Sequence, residues 1–235
     1  MRKEKETFKP IYEGNNNSYL VNNLSENTNY EFRIYSLYND ITSAESQIHK
    51  IKTIDFDCDS NILNESKRKD EFLKKIYEWI QYKKMELLYR ATRDGMTGKC
   101  FHNKCDNKGE TICLYKNEKG NIFGGYASIP WTSDSNYHSA PDSFLFTLTN
   151  IHNIEPTKFQ SKKDKREVYH NTGPTFGNGI DLYIDNNFGQ NNCKVFFPYT
   201  YQDTTGKGKT IFTGDFNINN SYFKVIEIEV FKLYK

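Results

Sequence analysis

The stretch KCFHNKCDNKGETIC brings Cys100, His102, Cys105 and Cys113 close together, four side chains of the kind that bind zinc. Four is also the number a closed tetrahedral site needs. The spacing argues against a metal. Structural zinc sites pair tight knuckles, whereas Cys113 lies in TICLY, where alternation with Ile112 and Leu114 turns it to one face of a strand as a small buried hydrophobe. No metal and no cofactor is therefore expected. A thiol nucleophile with His102, His138 or His170 as its base would require a recognisable elbow or cysteine signature, and neither is present.

Other segments offer chemistry that also fails on spacing. In DTTGKGKT, Asp203 stands where a phosphate-binding loop needs its first glycine before Gly208-Lys209-Thr210. GPTFGNG, from Gly173 to Gly179, leads into a strand and so lacks the helix N-terminus of a dinucleotide site. Both read as turns. Glu227 and Glu229 in EIEVF share a strand face roughly 6 to 7 Å apart, a separation that suits acid/base chemistry, but a solvated face or a carboxylate bonded to backbone is the simpler reading. The run KFQSKKDKRE reads as a solvated basic loop.

Composition narrows the partners. With 32 basic and 30 acidic residues the formal net charge is +2, too weak a field to argue for nucleic acid or an anionic membrane. No apolar run reaches membrane-spanning length and MRKEKETFKP lacks a signal-peptide core, so a soluble cytoplasmic protein without membrane insertion is expected. Five cysteines, an odd number, fit a reducing compartment. The Asn-x-Ser triplets at Asn16, Asn23, Asn64 and Asn219 then carry no weight.

The elements that must position these residues are mostly strands. Seventeen Tyr and seventeen Phe point to aromatic-rich sheets. A helix is expected over about 66–88, with Phe72, Ile76, Trp79 and Ile80 on its apolar stripe, Asn64 or Ser66 as cap, and the pairs Asp70–Lys74 and Glu71–Lys75 along its surface. TICLYK, NIFGGYAS, SFLFTL, GIDLYID, CKVFFPY and YFKVIEIEVFKL follow as strands. Before the helix, residues 1–53 read as strands and 54–65 as a linker. Leu24, Thr28 and Tyr30, in the spacing L-x3-T-x-Y before Phe32-Arg33-Ile34, resemble the second half of a fibronectin type III domain with Tyr30 as its tyrosine corner. Glu26 stands where that family usually has proline. Half a sandwich is marginal alone, which favours a fragment of a longer chain.

Taken in order, the motifs from Asp57 to Lys235 resemble the TLDc domain of the oxidation resistance protein family. They are Ser60 with Ile62-Leu63; Trp79-Ile80; Leu87-Leu88-Tyr89-Arg90-Ala91-Thr92-Arg93-Asp94-Gly95; Phe101-His102 with Cys105-Asp106; Gly109-Glu110-Thr111; Phe123-Gly124-Gly125-Tyr126; and Trp131. Ser143 to Phe146, Gly173-Pro174 with Phe176-Gly177, Asp181-Leu182, Thr213-Gly214, and Glu227 with Glu229-Val230 complete them. Glu110 departs from a common proline and Phe231 from a usual tryptophan. The resemblance implies a domain over 66–235 (57–235 with its extension), mainly β with flanking helices, an α+β sandwich of two antiparallel sheets. It implies no catalytic residues, a short helix and turn around His102, and a protein-interaction module linked to oxidative-stress protection. It also implies binding to subunits of the vacuolar-type proton-pumping ATPase, with recruitment to acidic organelles. Physics assigns Asp94-Gly95 to a turn and Asp181 to a strand start, and Arg90, Arg93 and Asp94 are the first surface candidates. The alternative is direct oxidant consumption by Cys100 or Cys105, with Lys99, His102 and Lys104 lowering a thiol pKa.

Overall fold

The computed structural model describes residues 1–3, 7–16, 18–21, 24–25, 28–39, 41–53, 58–82, 84–162, 166–169, 172–178 and 180–234. Glu26, Asn23, residues 54–57 of the expected linker, Lys163, Asp164 and Lys165 of the basic run, His170 and Gly179 lie outside the described residues. The chain forms two compact units, Met1–Asp57 and Cys58–Lys235.

In the first unit, β1 (Arg2–Lys3), β2 (Asn29–Phe32) and β5 (His49–Lys52) make an antiparallel sheet in the order β1-β2-β5, and β3 (Leu37–Tyr38) pairs with β4 (Ile41–Thr42). Tyr30 is buried and its hydroxyl accepts the Ser25 amide at 2.9 Å. Thr53 ties the same corner to the last strand, its hydroxyl donating to Ser25 O and accepting from Thr28 N. Ile34, Leu37, Tyr38, Ile41 and Ile51 remain exposed.

The second unit begins with α1 (Asn61–Asn64), α2 (Lys69–Ile80), β6 (Lys84–Arg90), α3 (Ala91–Asp94) and α4 (Gly98–Cys105). Then come β7 (Thr111–Asn117), β8 (Ile122–Ala127), β9 (Tyr137–His138), β10 (Phe144–Thr149), β11 (Thr157–Gln160), β12 (Val168–Tyr169), β13 (Thr175–Phe176), β14 (Leu182–Tyr183) and β15 (Cys193–Val195). It closes with α5 (Thr210–Thr213), β16 (Tyr222–Phe223) and β17 (Val225–Tyr234). Two six-stranded antiparallel sheets result, β11-β10-β8-β7-β17-β6 and β16-β15-β14-β13-β12-β9, so the protein is mainly β with a few helices, as an α+β sandwich requires.

Aromatic side chains fill the space between the sheets. Trp131 stands edge-on to Phe176 at 5.5 Å, Phe123 meets Phe223 at 5.7 Å, and the buried Tyr115 hydroxyl donates to Pro174 O across the gap at 2.7 Å. On the opposite face of the first sheet, Trp79 of α2 lies on Phe146 and Phe144, the two residues of β10 that alternate with core-facing Leu145. The hairpin NEKG is built by Asn117, whose side-chain oxygen accepts from Lys119 and Asn121 amides while its amide donates to Phe212 and Thr213 carbonyls.

Three expectations need correction here. The helix ends at Ile80, because Gln81 turns left-handed (φ 55°) and the following KMELLYR pairs as β6. Asn64 and Ser66 do not cap it; Ser60 instead caps α1 by accepting the Leu63 amide, and the surface pairs are Arg68–Glu71 and Lys75–Glu78. Residues 58–65 are packed rather than strung out, with Cys58, Ser60, Ile62 and Leu63 buried.

Candidate functional site

The polar residues of the sequence motifs converge where β6 and β17 pair, Arg90 opposite Glu229. β17 is the second strand from this edge, so Glu229 is wholly buried on the face that α1 covers. Its Oε1 accepts from Arg90 Nε and from the Asn61 amide, both at 2.8 Å, and its Oε2 accepts from Ser60 Oγ at 2.5 Å. The Arg90 guanidinium also donates to Asp59, at the carbonyl (2.7 Å) and the carboxylate (3.0 Å). One carboxylate thus holds a cation, a hydroxyl and a helix N-terminus together. A buried charge survives only with such partners.

Glu227, two residues earlier, makes a parallel clasp. Its carboxylate accepts the Thr92 amide and hydroxyl and the Ile228 amide, which fixes the first turn of α3. Asp94 closes that turn by accepting the Arg90 amide at 3.0 Å and pairing with Arg93. The Arg93 hydrogen bond first, then the Arg90 amide, hold the Asp94 carboxyl below its ordinary value against the opposing effect of burial. Gly95 follows at φ +110°, where a side chain would be strained and would crowd Cys100 Sγ at 2.8 Å. The two glutamates that share a face are both consumed by donors of the chain itself. Of the three expected surface residues only Arg93 is exposed, since Glu229 draws Arg90 inward.

The remaining motif positions serve packing in the same way. Gly125 lies under the Phe176 ring, Gly124 against the Cys113 carbonyl, and Gly177 against the Asp181 carboxylate. Trp131 Nε1 donates to Thr111 Oγ1 at 2.8 Å, and Gly214 ends α5 in a left-handed conformation. Asp181 is buried just before β14 and accepts the amides of Tyr199 (2.7 Å) and Thr200 (2.8 Å); burial nevertheless raises its pKa.

Four of the five cysteines are buried. Cys105 is fully buried and its thiol is pushed well above the usual range, while burial pushes Cys113 and Cys193 up to about 12. Cys100 alone is partly accessible, and no group of metal-binding side chains forms among the described residues. Both nitrogens of His102 are occupied, Nδ1 by Asp106 at 2.7 Å and Nε2 by the Thr172 carbonyl at 2.8 Å, so the ring fastens α4 to the second sheet's approach and has no free nitrogen for a substrate.

The loop DTTGKGKT is a cradle already filled. Asp203 accepts from the amides of Thr205, Gly206 and Gly208 and from the Thr205 hydroxyl. Burial alone would raise this carboxyl, but the four donors outweigh it and hold the pKa below 3.8. A depressed folded-state pKa stabilises the protein above the unfolded value and loses that contribution as pH falls through the folded value. Replacing Asp203 by Ala should cost about 1 kcal/mol at neutral pH, the low end for a partly solvated carboxylate. In urea unfolding the gap between wild type and D203A should therefore narrow as pH falls through and below the ordinary aspartate range.

Glu167 was not foreseen. It is buried, with its oxygens taking the Ala140 amide and Ser161 hydroxyl at 2.7 Å, and the basic residues preceding it disguise it as part of a surface loop.

No curated protein matches the chain. The family model for the TLDc domain matches residues 56–234, which begins just before the buried Cys58 and spans the second unit to the end of β17. The chain belongs to the TLDc domain family. In this TLDc domain Ser60, Arg90 and Glu229 hold one edge of the sandwich together, and Gly125 packs against Phe176 between the sheets.

Proposed function

We propose that this chain is a non-enzymatic interaction module that binds and regulates the vacuolar-type proton-pumping ATPase, and through it contributes to protection from oxidative stress. The observation that carries the reading is that the polar motif residues Arg90, Asp94, Asp181, Glu227 and Glu229 are engaged inside the domain, which makes them a frame for surface loops. Membership of the TLDc family supports this reading, the pump being the partner that the resemblance implies. The protein acts in the cytoplasm and is drawn to the surface of acidic organelles, where the peripheral part of the pump is accessible. Residues 1–53 serve as a second adaptor, the second half of a fibronectin type III-like sandwich; the Tyr30 hydroxyl bonded to the Ser25 amide supports that reading.

The rival reading, a thiol that consumes oxidant, has only Cys100 to rest on. Affinity capture of pump subunits by the full chain, with ATP hydrolysis by the pump measured in its presence, tests the proposal. Capture together with an altered rate is the expected result. If no pump subunit is captured by the folded chain, the proposal fails. Should protection of peroxide-challenged cells also vanish on replacing Cys100 by Ser, weight moves to the rival.

A further inference from the structure

The turn between α5 and β16 exposes what a soluble loop usually hides. Phe216 and Ile218 are 72% and 68% exposed at its tip, and Tyr222 just after it is 46% exposed. The polar residues of this turn are directed back into it. Asp215 accepts the Asn217 amide and the Asn220 side chain, Asn217 accepts the Asn219 amide, and Asn220 accepts the Tyr222 amide. A tip wired in this way has already satisfied much of its hydrogen bonding, so it loses little when it leaves bulk water.

Lysines surround it. Lys119, exposed, lies against Gly214 at the base of the turn. Burial first, and then the charge of exposed Lys207, lower the His152 pKa, and Phe216 stands edge-on to the His152 ring at 5.4 Å. Lys209 Nζ reaches Ser221 Oγ at 2.7 Å, and Lys194 lies 5.2 Å from the centre of the Tyr222 ring. Of the acidic residues in the same loops, Asp203 and Asp215 turn their oxygens to donors of the chain, and Glu118 is exposed. A projecting aliphatic and aromatic pair ringed by lysines matches an anionic lipid interface, where apolar groups enter the headgroup layer and each lysine adds its own attraction.

We propose that this turn docks peripherally on an anionic membrane, Phe216 and Ile218 entering the headgroup layer while Lys119, Lys207 and Lys209 pair with anionic headgroups. The net charge of +2, which gave no reason to expect a membrane partner, averages over this local arrangement. The inference does not depend on the identity of any protein partner. A protein acting on a membrane-embedded pump would gain a second, weak point of attachment from it.

The test is co-sedimentation of the full chain with vesicles of phosphatidylcholine, with and without phosphatidylserine. Wild type should sediment with the anionic vesicles only, and raising salt from about 0.1 to 0.5 M should release it. F216S/I218S should weaken the partition by about tenfold or more, and changing Lys119, Lys207 and Lys209 together to Gln should weaken it by roughly a hundredfold. Because Phe216 and Ile218 are so exposed, thermal unfolding of F216S/I218S should match wild type. Failure of wild type to sediment with anionic vesicles overturns the proposal, as does unchanged binding of F216S/I218S. Capture of a protein through this turn, with vesicles left unbound, would make it a protein-docking loop and overturn the lipid assignment.

Discussion

Glu229→Ala should be among the most damaging single changes in the second unit, costing about 3 to 5 kcal/mol, because it leaves a largely buried guanidinium without its carboxylate. Arg90 would keep only Asp59, whose side chain is 67% exposed, and α1 would lose both the Ser60 hydroxyl contact and the Asn61 amide contact. For a unit of this size such a loss lowers the melting temperature by roughly 10 °C or more. Simple loss of packing would predict the same for any truncation, so the informative comparison is the double variant Arg90→Met/Glu229→Leu. Removing both charges should recover more than half of the loss, since the penalty of Glu229→Ala is largely that of an abandoned charge. Thermal unfolding of the three proteins checks it. If the double variant is as unstable as the single one, the clasp acts through the α1 contacts and not through charge.

Gly124→Ala should prevent β7 and β8 from pairing as they do. A Cβ at this position overlaps the Cys113 carbonyl oxygen as well as the Phe146 ring, and the carbonyl belongs to the partner strand, which cannot swing aside like a side chain. Overpacking of this kind commonly costs 1 to 3 kcal/mol where side chains can yield, and about 3 kcal/mol or more is expected where backbone must move. Gly125→Ala meets Phe176 instead, at 2.6 Å, and should be milder because a ring can shift within the space between the sheets. Expression and unfolding of the two alanine variants, measured side by side, should rank Gly124→Ala below Gly125→Ala. Equal losses would mean that the β7–β8 ladder is more pliable than its geometry implies.

Much of the frame was legible from alternation and turn residues. TICLYK and SFLFTL read as strands because β-branched and aromatic residues sit between polar turns, and both occur as β7 and β10. The helix over-run has a specific cause: after Ile80, KMELLYR keeps apolar residues at helical spacing, and only the left-handed turn at Gln81 reveals the break. Glutamine gives no local warning of that conformation. The Glu227/Glu229 pair reads as one strand face, and that face is buried because α1 reaches Glu229 from 168 residues upstream and α3 reaches Glu227 from 135 residues upstream. Local pattern does not report which face a distant element will cover. The approach of Lys119 to the base of this turn at Gly214 was hidden for the same reason, since the two are far apart in the chain and are brought together only by the fold.

The placement of β17 has a consequence for synthesis of the protein. This strand lies between β7 and β6, so the first sheet cannot be completed until residues 225–234 have been translated. At usual elongation rates β7 waits about 5 to 20 s for that neighbour after it is made, and β6, made earlier, waits longer. During this interval Met85, Leu87 and Tyr89 of β6 have no strand to pair with, and Arg90 has no glutamate. The nascent chain therefore passes through a stage with an open, partly apolar strand edge, which is the kind of surface that ribosome-associated chaperones protect.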